Sequence, residues 1–198
     1  MNRIIYITED IRSTSGDYQR ENSLIRRVFD DVNYLNLLGK DPIHVFIDTD
    51  GGNLKTALSI FDILRLSKAP IYTYALSEVS SAGTVIYLAG DKRFAFTHSQ
   101  FMMHESSLSV GGSKKDFEYT AAQCLEQNAK VFPIFNSRIK MGKRKFDKLH
   151  EHSNYLWAEE AKKHKMVTEI LTEMPNHLIK ASMEYALEPI ALEMKFDE

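Results

Sequence analysis

Apolar residues along this chain fall into two patterns, short continuous runs and longer stretches with helical spacing. The run "RIIYIT" opens the chain as a short β-rich segment. From Asp17 onward Leu24, Val28, Val32 and Leu35, with Ile25 and Phe29 beside them, recur on one helix face, and Gly39 and Pro42 end that helix. "IHVFID" reads as a buried strand interrupted only by His44, and it runs into the turn "TDGGN". Leu54, Ala57, Leu58, Phe61 and Leu64 form the inner face of a second helix, which Pro70 separates from the strand "IYTYAL". The order βαβαβ favours a largely parallel sheet covered by helices.

Two short strand-like runs follow in the second half, "RFAF" and "FMMH", and then "SLSVGGSKK", whose glycines and serines predict an irregular segment. A long helix is expected from about Lys114 to Met141, striped by Phe117, Ala121, Cys124, Leu125, Phe132, Phe135 and Ile139, with Pro133 bending it or removing one hydrogen bond. "KRKFDKLHEH" and "WAEEAKKHK" read as short amphipathic helices and "MVTEIL" as a last strand. Beyond Pro175 some helical periodicity persists in Leu178, Ala181, Met183 and Ala186 without a chemical signature. No repeat or linker divides the chain, so one α/β domain is expected over 1–198, its core about 3–171 and a C-terminal extension about 172–198.

Composition narrows the classes. A chain of 198 residues, 43% hydrophobic, can bury a proper core, and 25 basic against 27 acidic residues give no global pull toward nucleic acid or an anionic membrane. The start becomes charged too soon for a signal peptide, and no run approaches the roughly 18 apolar residues of a membrane span. The single cysteine, Cys124, has no internal disulfide partner and no flanking basic cluster, so it reads as a small buried hydrophobe in a reducing compartment. A cytoplasmic location is expected. One cysteine and seven histidines without H-E-x-x-H spacing predict no metal site, and without a P-loop no cofactor is expected.

Three places could carry chemistry. Asp50, Gly51 and Gly52 lie where a buried strand passes into a helix; free N–H groups there suit an oxyanion, and glycine equally suits a tight turn. In "EVSSAGTVIYLAGD" a second strand delivers Ser80 and Ser81 to a helix start, where either serine could be a nucleophile or an N-cap, and Gly83 allows close backbone approach. His104 in "FMMHESS" stands at the end of an apolar strand and is the candidate general base; His98, in the turn "FTHSQ", is the weaker one.

Taken in order, "RIIYIT", "IHVFIDTDGGNLKTALSIFDILR", "EVSSAGTVIYLAGDKRFAFTHSQFMMHESS" and "YLWAEEAKKHKMVTEIL" resemble the core strand, glycine turn, nucleophile and histidine segments, and late helix and strand of the Clp protease proteolytic subunit family. The resemblance runs from Arg3 to about Leu171. It implies a ClpP/crotonase-like ββα superhelix whose long handle helix builds contacts between two stacked rings, and a serine endopeptidase cutting unfolded polypeptide inside the ring chamber. The family's nucleophile precedes any residue and then glycine, which selects Ser81 over Ser80. His104 falls on the general base, and the N–H groups of Gly52 and Ala82 fall on the oxyanion hole.

The sequence departs from the family pattern in three ways. Ser153 occupies the place of the triad aspartate, with Asn154 and Glu151 as substitutes nearby. The chain begins almost directly at the first core strand, which weakens the expectation of an AAA+ unfoldase partner. Asp50 stands where a proline usually precedes the glycine pair, bringing a negative charge toward the oxyanion site, and "HESS" lacks the usual proline after the histidine. The alternative reading is therefore a catalytically impaired ring or scaffold subunit; an acyl-CoA hydratase or hydrolase of the crotonase fold would use the N–H groups without Ser81.

Overall fold

The computed structural model of the chain describes residues 3–13, 23–106 and 111–175. Among these, seven strands share one sheet: β1 (Ile4–Ile7), β2 (Ile43–Thr49), β3 (Ile71–Ser80), β4 (Lys92–Phe96), β5 (Gln100–Met103), β6 (Asn154–Trp157) and β7 (Glu169–Leu171). Their main order is β1-β2-β3-β4-β7, all parallel, as the βαβαβ reading expects. The helices are α1 (Leu24–Leu38), α2 (Leu54–Arg65), α3 (Ala82–Tyr87), α4 (Lys114–Ile139), α5 (Lys143–His150) and α6 (Ala158–Lys163). α1 starts at a Ser23 cap that accepts from the Arg26 N–H; the expected helical start at Asp17, and the periodic tail beyond Pro175, lie outside the described residues.

Alternation along the strands sets the two faces of the sheet. Val45 and Ile47 of β2 enter the main core with Val28, Val32, Ala57 and Ile60 from the helices. Phe46 points the other way, where Tyr6, Phe46, Tyr74 and Phe94 stack in a row with centroids 5.5, 4.6 and 4.8 Å apart. Among the described residues the helices α1 and α2 thus pack on one face. On the other, aromatic rings bury one another, and His44 is satisfied there by the Tyr74 hydroxyl at 2.9 Å.

β3 is longer than its apolar run. Its first part pairs with β4, then Glu78, Val79 and Ser80 pair in parallel with β5. β5 in turn pairs antiparallel with β6, a strand the sequence pattern does not reveal because it has only four residues, with Tyr155 and Trp157 exposed. β3 therefore carries the chain out of the main sheet and delivers Ser80 and Ser81 beside the end of β5.

The long helix appears as expected, running through Pro133, opened by a capping box between Ser113 and Asp116 and closed by Lys140 in the left-handed region. Cys124, Val131, Phe135 and Ile139 are buried, whereas Phe117 and Leu125 of the expected stripe are exposed. Arg138 near its C-terminus donates to the carbonyls of Leu88 and Gly90, both at 2.8 Å, and Arg65 donates to that of Ala89 at 3.1 Å. These bonds satisfy the carbonyl end of α3 and fix the two helices to each other. Burial alone would raise the Asp91 pKa, but the Ile71 N–H and the Arg65 and Arg138 guanidinium groups hold it below its ordinary value. Among the described residues no helix is long and apolar enough to cross a membrane, and none form a cluster of three or more His, Cys, Asp or Glu suited to a metal.

Candidate active site

The turn from β3 into α3 is strained at one residue. Ser81 has φ 52° and ψ −121°, a conformation that L residues rarely adopt, so surrounding contacts must hold it. One is visible: the Ser81 N–H donates to the Met102 carbonyl at 2.7 Å, continuing the β3–β5 pairing. Gly51 permits the close approach of this turn, because a Cβ at this position would lie 2.7 Å from the Ser81 Cβ. Ser81 occupies the N-cap position without a side-chain cap bond, which leaves its hydroxyl free.

That hydroxyl lies 2.7 Å from His104 Nε2. The contact follows from the strand pairing, since His104 stands two residues beyond Met102, just past the end of the strand that holds the Ser81 backbone. Ser80 points elsewhere; it is buried and its hydroxyl donates to Glu78. His98 is exposed in the turn between β4 and β5.

Ser81 and His104 border a cavity of about 310 Å³ that Gly52 and Ala82 also line. Ile11 pairs with the residues on either side of Gly52, donating to the Gly51 carbonyl at 2.8 Å and accepting from Asn53 at 2.6 Å. The Gly52 N–H therefore points away from Ile11. Ala82 is the first residue of α3, so its N–H has no helical acceptor. Asp50 is exposed and does not line the cavity. The apolar wall includes Val85, Leu125, Phe132 and Phe146. A hydroxyl on an imidazole, two available N–H donors and an apolar recess form a set that suits acyl transfer.

The far side of His104 differs from the family pattern. Extending the β5–β6 register, in which Met103 faces Asn154, sets Ser153 across from His104. Ser153 is exposed, and no hydrogen bond from it to His104 is present among the described residues. Asn154 spends its amide on the carbonyls of Leu149 and His152, at 3.0 and 2.9 Å, tying the end of α5 to β6. Glu151 caps the C-terminus of α5 and is exposed.

Sequence reasoning missed His150. It lines the same cavity, is 6% exposed, stacks on Phe146 with centroids 3.8 Å apart and meets Phe135 edge-on at 5.1 Å. Its Nδ1 is 2.8 Å from the Phe146 carbonyl. Burial lowers its pKa; the Phe146 carbonyl opposes that shift, His104 adds to it, and Glu105 and Asp147 oppose it. The signal in sequence is the Phe146 to His150 spacing, which sets the imidazole on the apolar face of α5.

A model of the Clp protease family matches residues 2–174 of the chain. The chain belongs to the Clp protease family. This Clp family chain is 27% identical over 177 residues to the ATP-dependent Clp protease proteolytic subunit 1 of Rhodopirellula baltica, covering 88% of this chain and 74% of that protein. It is likewise 27% identical over 176 residues to the ATP-dependent Clp protease proteolytic subunit of Deinococcus radiodurans, covering 86% and 81%. An asparagine-to-aspartate mutant of ClpP1 from Listeria monocytogenes superposes with a TM-score of 0.74 at 23% identity, covering 86% of this Clp family chain and 92% of that one, which shows a shared fold.

Proposed function

We propose that the chain is a serine-type endopeptidase subunit that hydrolyses peptide bonds of unfolded polypeptide. The observation that carries this reading is the 2.7 Å approach of the Ser81 hydroxyl to His104 Nε2 at the cavity edge. Ser81 Oγ attacks the scissile carbonyl carbon while its proton passes to His104 Nε2, and the new oxyanion takes hydrogen bonds from the Gly52 and Ala82 N–H groups. Collapse breaks the C–N bond, and His104 returns the proton to the leaving amine. Water then adds to the acyl-enzyme, giving one proton to His104, and expulsion of Ser81 Oγ with return of that proton restores the site. Ser153 is the positional third member across from His104.

The exposed Phe117 and Leu125 on α4 support assembly through that helix, in keeping with stacked rings of identical chains. The relatives are designated ATP-dependent, which supports an AAA+ unfoldase as feeding partner in the cytoplasm. A second reading, an impaired ring or scaffold subunit, draws on the hydroxyl at Ser153 where the family has a carboxylate; loss of that carboxylate can cost about 10⁴ in turnover.

Cleavage of fluorescently labelled casein by the purified protein separates the two. Cleavage that disappears in Ser81→Ala is expected. An intact assembled particle that leaves casein whole at any protein concentration overturns the peptidase reading in favour of the scaffold.

A further inference from the structure

We infer that His150 is the positioning residue for His104, holding its Nδ1–H through one bridging water in the role the family gives to a carboxylate. The inference rests on the Ser81–His104 reading above. To take the Ser81 proton, His104 must present an unprotonated Nε2, so its other nitrogen, Nδ1, carries hydrogen and needs an acceptor. Among the described residues no hydrogen-bond partner reaches Nδ1, while Nε2 is engaged with Ser81.

His150 offers the complementary group. A carbonyl only accepts, so the 2.8 Å contact with Phe146 requires hydrogen on His150 Nδ1, and the neutral ring keeps a bare acceptor at Nε2. The ring lines the cavity beside His104. The backbones are joined as well, the Glu105 N–H donating to the His150 carbonyl at 2.9 Å. No direct bond links the two rings, so the contact we infer runs through a water held between the N–H donor and the ring acceptor.

Burial, the largest influence on His150, favours the neutral ring against the pull of the Glu105 and Asp147 carboxylates. His104 and Glu105 face it from the segment just after β5, and Asp147 and Lys143 stand on its own helix around the same cavity. Stacking on Phe146 and edge contact with Phe135 lock its orientation, which an orienting group requires.

Two substitutions separate positioning from packing. His150→Gln places an amide oxygen near the Nε2 position but loses the aromatic stack; His150→Phe keeps the stack and loses the acceptor. The rate at which a fluorophosphonate probe labels Ser81 is measured for both, with melting temperature and particle mass as controls. His150→Gln is expected to label within about threefold of wild type and His150→Phe roughly 10- to 100-fold more slowly, a part of the about 10²–10⁴-fold that positioned proton transfer contributes. His150→Phe labelling as fast as His150→Gln, or faster, overturns the inference. Failure of the wild-type protein to label at all overturns the serine-nucleophile reading instead.

Discussion

Ser81 meets His104 because its own backbone belongs to the neighbouring ladder: the Ser81 N–H is bonded to Met102, two residues before the imidazole it touches. The left-handed turn at Ser81 then aims the hydroxyl forward while Ser80 stays buried on Glu78. Strand pairing, more than helix capping, sets this pair.

The β5–β6 register sets Ser153 across from His104, where a carboxylate can be added. Ser153→Asp sets a carboxylate where it can orient and stabilise the imidazolium, and the rate of casein cleavage should rise by about tenfold or more. An unchanged rate in a properly folded Ser153→Asp protein would show that this position does not reach His104.

Close packing at Gly83 predicts a stability effect. A Cβ there would lie 2.6 Å from Thr49 Cγ2, and Thr49 cannot turn aside because its hydroxyl donates to the Glu9 carbonyl at 2.7 Å and accepts from Gly51 at 3.1 Å. Gly83→Ala should lower stability by about 1–3 kcal/mol, seen in chemical denaturation. Thr49→Ser, which keeps the hydroxyl and removes Cγ2, should recover most of that loss; no recovery would place the strain elsewhere.

The exposed apolar residues of α4 predict an assembly effect. Phe117→Glu combined with Leu125→Glu should shift the particle to a smaller mass in light scattering without lowering the melting temperature of the subunit. A particle of wild-type mass would remove α4 from the contact.

Acid sensitivity follows from His150 and His164, both held below the ordinary histidine value of 6.5, by burial first in each case. Such groups bind protons more readily unfolded than folded, so stability is full above about pH 6.5 and falls as pH drops from there toward the folded pKa. Aspartates with lowered pKa, such as Asp91, are ionised in both states over this window and add nothing to the slope. The melting temperature should fall between pH 7.5 and 5.5, and fall less in His150→Phe. An equal fall in that variant would contradict the assignment.

The fold was legible wherever burial on a strand is continuous or helical spacing is long, as in β2 and α1. β6 escaped because four residues with two exposed aromatics carry no period. β3 outran its apolar run because "SEVS" is held by pairing with β5, a non-local partner that local pattern does not report. Within the site, Ser81 and Ser80 have equal capping propensity, and local pattern cannot separate them; backbone dihedral and direction do. His150 looked like an ordinary helix residue because its importance comes from what lies across the cavity.

The most direct measurement is the site of covalent labelling. The purified protein is treated with a fluorophosphonate probe, digested and mapped by mass spectrometry, alongside Ser81→Ala and Ser80→Ala. The account predicts one adduct on Ser81, lost in Ser81→Ala and retained in Ser80→Ala; an adduct on Ser80, or labelling that persists in Ser81→Ala, would contradict it.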